Sequence, residues 1–458
     1  MSRPARSVTG DIAAFVSETP SAAIPAEARQ AGIRSVLDTV GVLLAGLGEP
    51  VVRIVAAELV GGPGPATLLG QGRTASAADA ALFNGTAAHA LDYDDVHSHL
   101  RGHPSACVLP AAFAAAEHAG LTGAGLLDAY VIGVEVECGI GRAFGPSHAA
   151  RGFHSTSTLG VLGAAAAAAR ALGLDAGETA AALGIAASSA SGLRRNFGTA
   201  TKPLHAGNAA RAGVVAALLA GAGVAAAPDI VESFVDAFNS DDDGAPDAIG
   251  RLGAPWAIVD PGMSIKKYPC CNRGHRAVDA VLDIVRALDA AAGEVAAVEV
   301  RMPAGQVDPD GRVGPMTYPV PRTGAEAKFS MPYVVAAAIV DRGLPINAFT
   351  DDGIHRPAVQ DLLAKVHPVN RDDTDDHVEV VMTLHDGRAC GRRVHRSRGD
   401  PRGGEPPGLD ELTAKYTDCA SVVLPPEAVA QSMSLVLRLD SLPTVSELAA
   451  ALSGKADG

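Results

Sequence analysis

The chain has 458 residues, of which 48% are hydrophobic, 19% charged and 4% aromatic, and its formal net charge is −14. That charge argues against a nucleic-acid partner, since phosphate binding needs a basic face, but it leaves room for a local cationic pocket that takes a small anion. The length predicts two domains, and so few aromatic residues leave a core of Ala, Val, Leu and Gly, which suits many closely packed helices.

Residues 11–18 and 25–46 carry helical spacing. In the second, Ile33, Val36, Leu37, Val40, Leu43 and Leu44 form one stripe, with Pro25 at its first turn and Gly46 at its end. Residues 51–59, 76–91, 111–120, 122–143, 160–173, 178–192 and 207–223 continue the helical pattern with small residues. No strand-like alternation precedes residue 295, so the first half is expected to be all-α.

The character then changes. Residues 274–290 predict one more amphipathic helix, 295–303 a strand, and 326–342 and 355–366 helices. Residues 377–395 read as a hairpin turning at Asp386-Gly387, 396–408 as a loop, and 409–420 and 426–454 as helices. The expected architecture is mainly α: a large all-helical domain, residues 1–264 with 401–458 returning to it, interrupted by a smaller α+β domain over 265–400.

The six cysteines, Cys107, Cys138, Cys270, Cys271, Cys390 and Cys419, form no CxxC pair and read as reduced thiols of a cytosolic protein. The opening MSRPARSVTGDIAAF lacks the apolar core of a secretory leader. The uncharged run from Ala212 is Ala- and Gly-rich and ends at Pro228, which suits a packed helix rather than a membrane span. A cytoplasmic protein without membrane or nucleic-acid partners is expected.

Four stretches carry chemistry. The first, HALDYDDVHSHLRGHPSACVLP, holds His89, His97, His99 and His103 with Asp92, Asp94 and Asp95. Acids and imidazoles crowded at the mouth of an apolar element suit proton transfer, or a metal-dependent hydrolase built on Asp92, Asp94, His97 and His99, or a polar loop whose aspartates cap helices. The second, GPSHAARGFHSTSTLGVLG, sets His148 and His154 before Ser155 to Thr158, whose hydroxyls either cap a helix or leave free N–H groups that face an anion beside His154.

The third, SGLRRNFGTATKPLHAGNAA, carries the Arg194-Arg195 pair, Lys202 and His205. The fourth, SIKKYPCCNRGHRAVDA, holds Lys266, Lys267, Arg273, His275 and Arg276 at the predicted domain junction, where ligand clefts tend to form. Cys270 and Cys271 lack the surroundings of a nucleophilic thiol.

Together these stretches resemble the MmgE/PrpD family. The matching runs are HALDYDDVH…HPS, GPSHAARGFHSTST, NFGTATKPLHAGNAA and KKYPCC…H, in the family's order, with LDTVGVLLAG and TGAEAKFSMPY besides. The family includes 2-methylcitrate dehydratase, cis-aconitate decarboxylase and iminodisuccinate epimerase. The resemblance implies a helical domain with an inserted α+β lid, a homodimer, and catalysis without metal or organic cofactor.

Carried over residue by residue from the decarboxylase branch, the resemblance implies catalytic roles for Asp92, His103, His154, Lys202 and Lys266. Substrate contacts follow for Lys202, Lys266, Arg273, His275 and Ser155. The run from Asp92 to His103 is one residue longer than in that branch, and CCNRGH departs from its usual text, so no branch is assigned. The expected activity is a cofactor-independent lyase or isomerase that moves a proton beside a carboxylate of a small di- or tricarboxylate.

Overall fold

A computed structural model describes residues 7–239, 244–403 and 406–453. The fold is mainly α. One apolar core runs from Ile12 to Ile265 and is rejoined by residues between Leu412 and Leu452; a second runs from Tyr268 to Leu384. The chain passes from one core to the other across Lys266 and Lys267.

The first core is a stack of Ala-rich helices, among them Ala26–Gly46, Ala77–His89, Ser105–Ala119, Gly123–Arg142, Gly160–Leu172 and Thr201–Gly221. The second is a four-stranded sheet of β3 (Val295–Met302), β4 (Val366–Asn370), β5 (Val378–Leu384) and β6 (Ala389–Val394), in the order β4-β3-β5-β6. β3 pairs parallel with β4 and antiparallel with β5, which pairs antiparallel with β6. Val378, Val380, Met382 and Leu384 alternate inward, and helix His275–Leu288 packs on that sheet through Val278, Val281, Ile284 and Val285. Gly387, at φ 88°, supplies the left-handed residue of the β5–β6 turn.

Several elements differ from expectation. The first half is not wholly α: Ala66–Leu68 (β1) and Arg73–Ala75 (β2) form a small antiparallel hairpin, too short to show alternation in sequence. Helices also form at Pro146–Ala150, Ser155–Thr158 and Ile230–Phe238. The helix expected at 178–192 covers Ala176–Ala187, started by an Asp175–Glu178 capping box. The helix expected from 207 begins at Thr201, because Pro203 is tolerated in a first turn.

The span 326–342 is broken, with Ser330 capping a fresh helix Met331–Asp341. The span 355–366 gives only helix Pro357–Leu363, and Val366 instead opens β4, whose Pro368 suits an edge strand. The last span divides into Pro426–Leu437 and Val445–Ala451 around Pro443, and its residue 454 lies outside the described residues. Among the described residues no single helix is long and apolar enough to cross a membrane.

Candidate active site

Two helices set the site's geometry. Ala77–His89 and Thr201–Gly221 cross so closely that a Cβ on Gly207 would stand 2.2 Å from Thr86 Oγ1 and 2.5 Å from the Leu82 carbonyl. Only glycine permits that approach, and it lays Lys202, in the first turn of one helix, against His89, at the end of the other. Beyond His89 the chain turns through Asp92, held at φ 52°. The loop is then tied down twice. Val96 and Ser264 exchange backbone hydrogen bonds of 2.9 Å, and the His103 N–H donates to Thr156 Oγ1 at 3.1 Å.

Asp92 is the hub. Its Oδ1 accepts from Lys202 Nζ at 3.0 Å and from Lys266 Nζ at 2.9 Å, and His103 Nε2 stands 3.5 Å away. Lys266 also donates to the Asp92 carbonyl at 2.6 Å. Burial alone would raise the Asp92 carboxyl, but Lys202, Lys266 and His103 outweigh it and hold it well below the usual carboxylate range. Burial opposes the charge on Lys266 too, yet Asp92 and Asp94 carry its pKa above the ordinary lysine value. Asp92 Oδ2 is buried and has no hydrogen-bond partner.

Asp94 forms a second layer. Its Oδ2 accepts from His89 Nδ1 at 2.8 Å and lies 3.2 Å from His103 Nδ1. His89 Nε2 accepts from Lys202 Nζ at 2.7 Å, so the geometry fixes His89 as a neutral ring protonated on Nδ1. Burial first and Lys202 next lower the His89 pKa to about 3, against the opposing pull of Asp94. The His89 and His103 rings meet edge to face at 4.7 Å.

His154 completes the group. Its ring stacks on His89 at 5.7 Å, meets Phe197 at 4.8 Å, and shares a 3.0 Å Nδ1–Nδ1 hydrogen bond with His205. Burial, then Lys202, pushes the His154 pKa well down, and the same two causes bring His205 to about 4, so this pair is neutral at physiological pH. A cavity of about 540 Å³ opens over the cluster. Asp92, His103, His154, Ser155 and Lys202 line its floor, and Arg194, Arg273, Arg276 and Arg396 line its outer wall.

The structure therefore brings Asp92, His103, His154, Lys202 and Lys266 together, with Ser155 and Arg273 on the same cavity. Two residues expected to touch substrate sit elsewhere. The Lys266 side chain is wholly enclosed behind Asp92 and is not part of the cavity wall. His275 is buried against the Cys270 carbonyl at 3.2 Å, its pKa lowered to about 3 by burial and then by Lys266. At the start of helix Ser155–Thr158, Ser157 and Thr158 donate their N–H groups to the His154 carbonyl, while Ser155 and Thr156 line the cavity. The Cys270 and Cys271 thiols are buried and their pKa values raised by burial.

The metal set read from the sequence does not assemble. His97 Nε2 pairs with the Ala257 carbonyl at 3.0 Å, and its Nδ1 accepts from the His99 N–H at 3.2 Å. In this part of the molecule His89, Asp92, Asp94 and His103 converge instead, each with one potential ligand atom within 4.8 Å of the others. Two ammonium groups already sit on Asp92 there, so a divalent cation would meet strong repulsion.

Sequence reading missed three supports. His89 stood in the first motif without a role. Lys415, on helix Leu409–Ala420, lies 2.6 Å from Asp38 and donates to the carbonyls of Tyr93 at 3.0 Å and Lys266 at 2.8 Å, stapling both active-site segments. Lys328, within the TGAEAKFSMPY run, is buried and donates to the Ala90 carbonyl at 3.1 Å.

The fold is mainly helical, and a buried cluster of acid, imidazole and ammonium groups lies under a cavity whose wall carries several arginines. Residues 10–243 match the MmgE/PrpD N-terminal domain and residues 268–440 the MmgE/PrpD C-terminal domain. The chain belongs to the MmgE/PrpD family. It is 31% identical to cis-aconitate decarboxylase of Mus musculus over 82% of this chain and 78% of the mouse protein. It is 30% identical to the Homo sapiens enzyme of that name, over 82% and 79% of the two chains. Identity to the cis-aconitate decarboxylase of Aspergillus terreus (strain NIH 2624 / FGSC A1156) is 26%, over 84% and 83%.

Proposed function

We propose that this chain is a cofactor-independent lyase or isomerase that moves a proton at the carbon beside a carboxylate of a small di- or tricarboxylate. Among such reactions, the names of its relatives favour loss of carbon dioxide from a cis-aconitate-like acid. The observation that carries the reading is the convergence of Lys202, Lys266 and His103 on one oxygen of Asp92 at the floor of the cavity.

Each reaction of this class passes through a carbon that bears an electron pair spread into a neighbouring carboxylate. In a decarboxylation the carbon–carbon bond breaks, carbon dioxide leaves, and the electron pair stays behind until a proton arrives. Lys202 supplies a preorganised ammonium for the charge that grows on the neighbouring carboxylate. His103, the most exposed histidine of the cluster, hands over the proton, and neutral His154 acts as its partner. Asp92 keeps the two lysines charged and in place, and Lys266 acts through it. In a dehydration or epimerisation the same His103 takes the proton from that carbon. Ser155 and Arg273 hold the substrate from the cavity walls.

We also read residues 265–400 as a lid on a helical domain made of 1–264 and 401–458, working in a cytoplasmic homodimer. The helical part, through Asp92, His103, Lys202 and Arg194, and the 265–400 part, through Arg273, Arg276 and Arg396, both line the cavity, which supports that arrangement.

The test is proton NMR of the full chain in heavy water with citrate-like, aconitate-like and iminodisuccinate-like acids. Deuterium should enter at the carbon beside a carboxylate in one of these classes, and exhaustive chelation should leave the rate unchanged. A rate abolished by chelation and restored by a divalent metal would favour a metal-dependent hydrolase instead.

A further inference from the structure

The floor of the cavity has little charge to spare. Lys202 and Lys266 both engage Asp92, and Asp94 is an anion, while His89 and His154 are neutral. The two lysines that contact Asp92 are thus matched by Asp92 and Asp94. A substrate with two or three carboxylates needs positive charge from elsewhere.

The outer wall holds it. Arg276 and Arg396 share Asp376 at 2.7 and 2.6 Å, and Arg402 pairs with Asp400 at 2.7 Å, so those guanidinium groups are already matched to acids. Arg194 and Arg273 are different. Among the described residues neither has a carboxylate partner. Arg194 donates to the Ala149 carbonyl at 2.7 Å, and Arg273 makes a long 3.4 Å contact with Gln306 Oε1. Both are half-buried and line the cavity, whereas Arg195 is exposed and does not. Burial depresses the Arg194 pKa, and the nearby Arg273 charge adds to that effect.

Phe197 relates this wall to the floor. Its ring centroid is 5.7 Å from the Arg194 guanidinium carbon, 5.4 Å from Lys202 Nζ and 4.8 Å from the His154 ring centroid. Phe197 therefore contacts both the floor, through Lys202 and His154, and Arg194, a guanidinium without a carboxylate partner among the described residues. Arg194 comes from the helical core and Arg273 from the second core, so an anion between them would bridge the two.

We infer that Arg194 and Arg273 form a distal carboxylate subsite, which restricts the substrate to acids carrying a second carboxylate away from the reacting carbon. The subsite rests on the proton-transfer reading above and deepens it. A guanidinium pair matches a carboxylate through parallel N–H donors, where a lysine would offer only a point charge. The pair also raises the encounter rate of a polyanion in a protein that is acidic overall.

The test is calorimetric titration of the full-length protein with propane-1,2,3-tricarboxylate, which mimics the substrate class without reacting, and with butanoate as a one-carboxylate control. The proteins are wild type, Arg194→Gln, Arg273→Gln and Arg194→Lys, each checked for an unchanged circular dichroism melt. Losing one charge-assisted contact should weaken tricarboxylate binding at least about tenfold in either Gln variant, leave butanoate within about twofold, and give an intermediate loss in Arg194→Lys. With a turned-over substrate the loss should fall on KM and leave kcat within about threefold.

Equal losses for both ligands, or no loss for the tricarboxylate, would overturn the subsite. Failure of wild type to bind the tricarboxylate would overturn the subsite and the proposed function together. Selective loss in the Gln variants without any deuterium exchange in wild type would keep the subsite and remove the proton-transfer reading.

Discussion

Lys202 and Lys266 meet on a single oxygen of Asp92, at 3.0 and 2.9 Å, although they stand on different elements and only Lys202 reaches the cavity. One carboxylate thus holds two buried ammonium groups, one facing substrate and one sealed behind it. The arrangement makes Asp92 structural as well as chemical.

The first prediction concerns that oxygen. Asp92→Asn removes the one carboxylate that both buried ammonium groups contact, so unfolding free energy should fall by about 3–5 kcal/mol, the usual cost of breaking a buried ion pair from one side. Urea denaturation measures it. A loss below about 1 kcal/mol would mean that the lysines are not held charged by Asp92.

A second prediction concerns His89. Its Nδ1 donates to Asp94 and its Nε2 accepts from Lys202, with a pKa lowered to about 3. Nitrogen-15 NMR should show a neutral ring protonated on Nδ1 throughout pH 5–8. Titration of His89 near pH 6.5 would contradict the assigned hydrogen bonds.

Much of the site was legible in sequence, for a physical reason. Asp92, His103, His154, Lys202 and Lys266 are chemically expensive residues set among apolar ones, and such residues stand out. Placement was harder to read. Lys266 and Lys202 look equivalent as sequence, and only packing seals one behind Asp92 and lets the other reach the cavity. His89 closes an apolar helix and so resembles a helix-end histidine. Lys415 acts from a helix more than three hundred residues from Asp92, with nothing local to mark it. In the fold, β4 was hidden because VHPVN is a short edge strand whose pairing is set by β3, far away in sequence.

Asp95, the third aspartate of the acidic run, supplies a pH prediction. It accepts from Ser105, whose hydroxyl meets Tyr130 Oη at 2.6 Å. Burial is the main cause that pushes its pKa up from 3.8 to about 8, against the Ser105 hydrogen bonds. A raised carboxyl pKa stabilises the fold fully below the unfolded value and loses that contribution as pH rises through the folded value. Relative to wild type, Asp95→Asn should therefore gain stability progressively from about pH 4 to pH 8. Melting temperatures of both proteins across that range check it, and parallel curves would contradict it.

Gly207 tests how the two helices set the site. In Gly207→Ala the new methyl meets Thr86 and the Leu82 carbonyl, so the helices must separate. Overpacking of this kind costs about 1–3 kcal/mol. The shift should also pull Lys202 from His89 and lower kcat/KM at least about tenfold, in line with the sensitivity of catalysis to small misplacements. Wild-type activity at reduced stability would show that this crossing does not govern the position of Lys202.

The most direct measurement is substrate-dependent deuterium incorporation, followed by proton NMR in heavy water, for wild type, His103→Gln and His154→Gln. If His103 carries the proton, His103→Gln keeps the fold and ligand binding but loses at least about a hundredfold in kcat, within the range for a general acid or base, and exchange beside the carboxylate disappears. Retained exchange in His103→Gln together with loss in His154→Gln would reverse the two roles. Full turnover in both variants would contradict proton transfer at the Asp92 cluster.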